Sequence, residues 1–226
     1  MNWKHFWNQK ALEPEAALQV ARVSKGKPLD HEWMQKIALS IKNQIQLKPL
    51  DSLLDVCCGN GLLLASLKPF CSEACGVDFS EGLIKNAQLN YSNLGIGFIC
   101  GEAQNFKLPR KFDKVILYFS FQYFETYELG KKVIANLIKH AAPGAIILIG
   151  DIPDRSRWFH YYNSTHKWFS FIKQELGSQN NMGKFWTAKE LMKICDELAV
   201  KGEKIEQENW QPFSHYRFDF LIRLTS

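Results

Sequence analysis

From residue 51 onward, short apolar runs alternate with segments of helical period. Residues 52–57 read as a buried strand, and a helix starts within 61–67. The next strand is 74–78. Ser80 then offers an N-cap to a helix whose apolar positions Leu83, Ile84, Ala87 and Tyr91 keep helical spacing. Residues 97–100 form a short third strand and 112–118 a fourth. Residues 127–141 predict an amphipathic helix on Val133, Ile134, Leu137 and Ile138. Pro143-Gly144 makes a turn before the apolar strand 145–150. Strands that are apolar throughout and separated by helices imply a parallel sheet covered on both faces.

The ending breaks this rhythm. Thr187-Ala188-Lys189-Glu190 is a capping box that opens a helix through 199. Residues 203–209 and 215–224 then read as two strands joined by a turn near Pro212. In the second, Tyr216, Phe218, Phe220, Ile222 and Leu224 alternate with His215, Arg217, Asp219 and Arg223. That alternation predicts an antiparallel strand with one more polar face. The expected fold is therefore α/β, a mostly parallel seven-stranded sheet closed by an antiparallel hairpin. Residues 1–50 form a separate N-terminal helical cap with an amphipathic run over 31–45, and 51–226 form the main domain. Within it, 154–186 is an insertion rich in aromatics (Trp158, Phe159, Tyr161, Tyr162, Trp168, Phe169, Phe171). It reads equally as a lid over a small molecule or as core packing.

Composition narrows the setting. The chain has 226 residues and 46% hydrophobic content, enough for one α/β domain with a modest extension. Residues 1–20 hold Lys4, Lys10, Glu13 and Glu15 and no apolar core of a secretory signal. No run approaches the ~20 apolar residues that span a bilayer. A cytoplasmic protein with no membrane insertion is expected. Four of the six cysteines, Cys57, Cys58, Cys75 and Cys100, fall in or beside strands, as buried thiols in a reducing compartment do. Cys71 and Cys75 lack a second ligand pair, so no metal is expected. The net charge of +5 is concentrated in residues 1–50, with eight Lys/Arg against four Asp/Glu, and contains no Arg-rich tract. Such a dispersed excess reads as solvated surface rather than a nucleic-acid face.

The chemistry gathers where the strands end, because ligands of an open parallel sheet sit beyond the carboxyl ends of its strands. The first strand ends in Gly59-Asn60-Gly61. A dinucleotide fingerprint needs a small residue three positions beyond the second glycine, where this chain has Leu64. No Lys-Ser/Thr pair follows, which excludes a triphosphate loop. A glycine turn with a carboxylate on the next strand suits a ligand with a ribose and no phosphate. Asp78 supplies that carboxylate and accepts from both ribose hydroxyls in this reading; its structural alternative is a helix-capping acid before Ser80.

Asp55-Val56-Cys57-Cys58-Gly59-Asn60-Gly61 resembles motif I of the class I S-adenosylmethionine-dependent methyltransferases, written (D/E)-x-G-x-G-x-G. Gly76-Val77-Asp78-Phe79-Ser80 resembles their second-strand acidic motif, and Gly101-Glu102-Ala103 their G-D-A element. Residues 112–116 with Tyr118 resemble motif IV, and Pro143-Gly144-Ala145 the turn before the fifth strand. The resemblance covers about residues 50–152 by motif. It implies a Rossmann-like sheet with helices on both faces and S-adenosylmethionine as cofactor. It also implies a binding set of Arg22, Asp55, Cys57, Gly59, Asn60, Gly61, Asp78, Phe79, Gly101, Glu102, Ala103 and Tyr118. On the same analogy the N-terminal segment closes over the cofactor, with Arg22 pairing its methionine carboxylate. Cys57 in place of the first glycine and Glu102 in place of the usual Asp depart from the pattern.

Methyl transfer from a sulfonium is an in-line displacement, so positioning supplies much of the acceleration. Candidates for touching the acceptor are Tyr118, Ser120, Gln122 and Tyr123 after the fourth strand, and Asp151 after the fifth. His160, Tyr161 and His166 come from the insertion, and His215 from the hairpin. Among these, Asp151, His160 and Tyr118 are the expected catalytic residues. The segment Tyr118-Phe119-Ser120-Phe121-Gln122 lacks the (D/N/S)-P-P-(Y/F) signature of enzymes that methylate base or glutamine amines. The expected acceptor is a small molecule, with O-methylation of a sugar or similar metabolite favoured. The alternatives are an RNA or protein methyltransferase using Lys107, Arg110, Lys111 and Lys114, and a non-catalytic module that keeps the fold. Oligomeric state is left open by the sequence.

Overall fold

A computed structural model of the chain describes residues 2–24, 27–29, 31–162 and 182–225. Within the insertion, His166, Trp168, Phe169 and Phe171 lie outside the described residues, and so does the reading of that stretch as lid or core.

The N-terminal part holds α1 (Trp3–Lys10), α2 (Ala16–Gln19), a ribbon of β1 (Val23–Ser24) and β2 (Lys27–Pro28), and α3 (His31–Gln44). The sheet begins with β3 (Ser52–Val56), followed by α4 (Leu62–Leu67), β4 (Glu73–Asp78), α5 (Glu81–Tyr91) and β5 (Ile96–Cys100). Next come β6 (Phe112–Tyr118), α6 (Tyr127–Lys139), β7 (Ala141–Pro153) and α7 (Trp158–Tyr161). The chain closes with α8 (Ala188–Glu197), β8 (Lys201–Glu206) and β9 (Arg217–Arg223). Seven strands form one sheet in the order β5-β4-β3-β6-β7-β9-β8. All pairs from β5 to β7 are parallel, and β9 is antiparallel to both its neighbours.

The two-residue period of the strands sorts their side chains into two cores. Leu54, Val56, Val115, Leu117, Ile147, Ile149, Phe218 and Phe220 pack with α6 and α8. Leu53, Ile116, Tyr118, Leu148 and Leu221 face the opposite way and pack with α3, α4 and α5. Local signals set the helix ends. Ser80 caps α5 by accepting from the Leu83 N–H, and Thr187 with Glu190 forms a reciprocal box on α8.

Two expectations are revised. The strand expected at 145–150 runs from Ala141 to Pro153, with Pro143-Gly144 as an irregularity inside it; the pairing slips between Phe112 and Lys114, and Gly144 takes a φ of 73°. Of the polar positions of β9, only Arg223 is exposed. Arg217 and Asp219 are buried, the first against Asp151, Phe213 and Tyr216 and the second beneath Gln44 of α3. Their polarity is met inside the protein rather than by water.

Replacing Thr187 with Ala removes the side-chain half of the α8 box, the hydroxyl that accepts from the Glu190 N–H, and leaves the backbone N–H of residue 187 to donate to Glu190. A loss of about 1 kcal/mol is expected in urea unfolding, with an unchanged slope.

Candidate active site

The carboxyl ends of β5, β4, β3 and β6 open into a cavity of about 200 Å³. Across that edge, in sheet order, stand Gly101-Glu102-Ala103 beyond β5, Asp78 at the end of β4, Asp55 on β3 and Tyr118 on β6. Arg22, Cys57, Gly59, Asn60 and Phe79 line the same cavity. Gly61 does not. Its φ of 78° starts α4, and a Cβ there would sit 2.8 Å from the Phe98 ring, so it serves the turn rather than a ligand.

Asp78 knits the strand-end loops together. One carboxylate oxygen accepts from the Gly59 N–H at 2.9 Å and the other from the Ser80 N–H at 2.9 Å. Its own carbonyl accepts from the Gly101 N–H. The capping role and a ligand role are compatible, since each oxygen keeps a further lone pair on a residue that lines the cavity. Burial pushes Asp78 up to about 6, against the pull of its backbone donors. Asp55 is pushed well above the carboxylate range, first by burial and then by Asp78. For a carboxyl raised in the folded state, the stability it lends is full below its ordinary value of 3.8. That contribution is lost as pH rises through about 6 for Asp78.

Three polar groups here are unused. Among the described residues, the Asp55 carboxyl accepts no hydrogen bond, and the Ala103 N–H finds no acceptor. The Arg22 guanidinium lies 3.6 Å from the Phe119 ring centroid but in no ion pair among those residues. Its desolvation lowers it to about 10 despite the attraction of Asp151. A buried carboxyl and a half-buried guanidinium without ion-pair partners mark a site suited to complementary charges. Glu102 is exposed at the rim, where Gln104 donates to it at 2.7 Å.

The backbone is strained at the same edge. Cys57 after β3, Phe119 after β6 and Asp151 within β7 are non-glycine residues at φ of 62°, 71° and 59°. Such conformations cluster where surrounding structure over-determines them, commonly at ligand sites. Cys57 therefore occupies a glycine-like conformation at the position where motif I carries its first glycine.

The N-terminal segment forms the roof. Trp3, Trp7, Val20 and Met34 line the cavity. Asn8 accepts from the Ser80 hydroxyl at 2.7 Å and the Gly82 N–H at 3.1 Å. Asn60 donates to the Ala16 carbonyl and the Gln19 side chain, both at 2.9 Å. The two tryptophans were missed as site residues; the aromatic spacing Trp3-Phe6-Trp7 on one helix face is the signal that points to them.

The expected acceptor-side residues separate. Tyr118, Ser120 and Tyr123 line the cavity. Gln122 is buried and donates to the Phe119 carbonyl instead. Asp151 does not line it: its carboxylate is buried 2.8 Å from the Arg217 guanidinium, which also donates to the Asp151 carbonyl. His160 is exposed on α7, and His215 is exposed before β9; neither lines the cavity. His166 lies outside the described residues.

The model of a family described as a methyltransferase domain matches residues 53–144, the span that holds Asp55, Asp78, Glu102 and Tyr118. By that match, residues 53–144 resemble a methyltransferase domain. The cofactor of that family is S-adenosylmethionine. The chain is similar to a malonyl-[acyl-carrier protein] O-methyltransferase of Priestia megaterium, with 26% identity over 77% of this chain and 61% of that protein. It is also 29% identical, over 46% of this chain and 41% of the relative, to a dTDP-4-amino-2,3,4,6-tetradeoxy-D-glucose N,N-dimethyltransferase of Saccharopolyspora spinosa. The chain thus spans about three fifths or less of the length of these two curated relatives. In fold it matches an N-methyltransferase of Bradyrhizobium japonicum solved with S-adenosyl-L-homocysteine, at a TM-score of 0.68 and 14% identity over 100% of both chains. Among the described residues, no helix is long and apolar enough to cross a membrane.

Cys57→Gly relieves the left-handed strain but frees the unfolded chain. A net gain of up to about 1 kcal/mol is expected in denaturant unfolding. A clear loss of stability would show that the thiol packs too well to be traded for backbone ease.

Proposed function

We propose that the chain is an S-adenosylmethionine-dependent methyltransferase acting on a small molecule, with O-methylation of a sugar or other metabolite favoured over N-methylation. The observation that carries this reading is the set of unused polar groups in one cavity, Asp55, Arg22 and the Ala103 N–H, with Asp78 among them. A ligand with an ammonium, a carboxylate, a ribose and a purine satisfies them all. In that ligand Asp55 takes the ammonium, Arg22 the carboxylate and Asp78 the ribose hydroxyls. Ala103 and Glu102 take the adenine edge, while Cys57, Gly59, Asn60, Phe79, Gly101 and Tyr118 shape the walls. The cofactor supplies a methyl group on a sulfonium.

The protein's own part is to bind, orient and exclude water. Trp3, Trp7 and Phe119 give the cavity an apolar cover, which strengthens the charge pairing beneath it. A general base is needed only for an acceptor that is a poor nucleophile at neutral pH. Asp151 is engaged by Arg217, and the Tyr118 hydroxyl donates to Asp219, so both enter this reading as positioning groups. Ser120 and Tyr123 flank Tyr118 and are assigned to the acceptor. The printed names of the relatives describe methylation on a malonyl group and on an amino sugar, which supports a small acceptor group.

The RNA or protein alternative draws on Lys107, Arg110, Lys111 and Lys114. Arg110 pairs with Glu73, and Lys114 is buried 3.8 Å from Asp51, so half of that basic cluster is already engaged. Salt-sensitive retention of tRNA would favour it all the same.

Titration calorimetry tests the cofactor. Binding of S-adenosylmethionine or its demethylated product is expected at sub-millimolar concentration, and its absence overturns the proposal. Asp78→Ala should weaken binding by roughly 1.5–3 kcal/mol for each charge-assisted hydrogen bond lost. Ribose hydroxyls need the ionised carboxylate, so affinity should rise as pH increases through about 6. A flat profile in wild type, or unchanged affinity in the variant, would remove Asp78 from the ribose role.

A further inference from the structure

Tyr118 is anchored two strands away from its own. It stands at the end of β6, paired with Gly150 of β7, and its hydroxyl donates to Asp219 of β9 at 3.1 Å. The ring crosses directly over Gly150: a Cβ built there would collide with its Cε2 and Cδ2 atoms. Only the absence of a side chain at 150 lets the phenol reach the hairpin. Tyr118 is also a lining residue of the cavity, and its ring packs edge-on against Phe119, on which the Arg22 guanidinium lies.

Asp219 is wholly buried and takes four donors. Its Oδ1 accepts from the Asp151 N–H and the Gln207 side chain, each at 2.8 Å. Its Oδ2 accepts from Tyr118 and, at 3.1 Å, from Gln44 of α3. The Oδ1 bonds have a local purpose. The β7–β9 pairing slips between Ile149 and Ile152, which frees the Asp151 amide from the ladder, and the carboxylate replaces the missing acceptor. The Oδ2 bond to Tyr118 is not needed for that repair. A buried charge is a poor device for stability alone, since apolar packing of similar volume commonly does as well.

The strand-end conformations point the same way. Phe119 and Asp151 follow Tyr118 and Gly150, and both sit in the left-handed region. The Phe119 N–H donates to the Gly150 carbonyl, and Arg217 fixes Asp151 from the far side. Everything around the Tyr118 ring is therefore held, and its hydroxyl is held by Asp219.

We infer that Asp219 is a positioning residue for the cavity, clamping the Tyr118 phenol across Gly150 so that Tyr118 backs Phe119 and, through it, seats Arg22 at the amino-acid end of the ligand. This rests on reading the cavity as an S-adenosylmethionine site. Asp219 touches no ligand in this arrangement and acts through Tyr118.

Calorimetry on the full chain tests it with two probes, S-adenosyl-L-homocysteine and 5′-methylthioadenosine. They share adenine, ribose and a thioether, but the second lacks the amino-acid portion. Asp219→Asn, Tyr118→Phe and Gly150→Ala are compared with wild type, with melting curves confirming that each is folded. The expected result is a loss of about tenfold for S-adenosyl-L-homocysteine with 5′-methylthioadenosine nearly unaffected. The double variant Tyr118→Phe/Asp219→Asn should be no worse than the weaker single one, because both break one contact. Gly150→Ala displaces the ring while leaving the Asp219 carboxylate in place, so it should reproduce the selective loss even if Asp219→Asn does not fold. Equal losses for both probes would mean that Asp219 only supports the scaffold, and the inference falls. Affinity for S-adenosyl-L-homocysteine within about twofold of wild type in the folded variants overturns it as well. Wild-type protein that binds neither probe would overturn the cofactor reading itself, and this inference with it.

Discussion

The carboxylate of Asp78 is the interaction on which the cavity depends. A parallel sheet leaves the loops at its carboxyl edge without partners, because each strand hands its chain to a helix on one face or the other. Asp78 closes that gap by receiving the Gly59 and Ser80 amides, while its carbonyl receives Gly101. The loops after β3, β4 and β5 therefore meet at one residue. Ser80 extends the chain of contacts to Asn8 and the N-terminal segment. Remove the carboxylate and the loops after β3 and β4 lose their shared acceptor, while the loop after β5 keeps only its bond to the main-chain carbonyl.

A second buried carboxylate plays the matching part on the other flank. Asp219 joins α3, β6, β7 and the approach to β9 through Gln44, Tyr118, Asp151 and Gln207. Like Asp78, it is pushed up to about 6 by burial, with hydrogen bonds pulling the other way. Both carboxylates thus remain largely ionised near neutrality only because amides and side-chain donors surround them. The desolvation cost is accepted at two places that hold strand ends in register, and the apolar cores carry the stability elsewhere.

Much of this was legible in the sequence. Apolar runs at period two and helices at period 3.6 located the strands and main helices, and Ser80 and Thr187 marked helix starts. These signals are local, so one chain suffices to read them. The meeting of the glycine turn with the acid on the next strand was legible too, since Gly59 lies just beyond β3 and Asp78 ends the adjacent strand, where the two hydrogen-bond. What was not legible depends on distant pairing. Asp219 and Arg217 alternate with apolar residues as solvated positions do, and nothing local says that Gln44 of α3 reaches the first or that Asp151 pairs with the second. Asp151 reads as a free carboxylate at a strand end until Arg217, 66 residues later, is found against it. Tyr118 reads as a site residue, but its reach to β9 requires knowing that Gly150 lies in between.

The roof and the floor of the cavity are coupled by the same contacts. The N-terminal segment is tied down by Asn8 to the loop that Asp78 orders, and by Asn60 to the glycine turn. Its tryptophans lie over a cavity that holds an unpaired carboxyl and an unpaired guanidinium. Closing an apolar roof over unpaired charge is unfavourable until complementary charges arrive, since the lower dielectric raises the cost of each unmatched group. A ligand carrying both an ammonium and a carboxylate reverses the sign of that effect. The charges are then matched, and the apolar cover strengthens them. By linkage, a ligand that favours the closed roof is itself bound more tightly by it. The seating of the N-terminal segment and the binding of such a ligand would therefore favour one another, through the polar groups left without partners beneath the tryptophans.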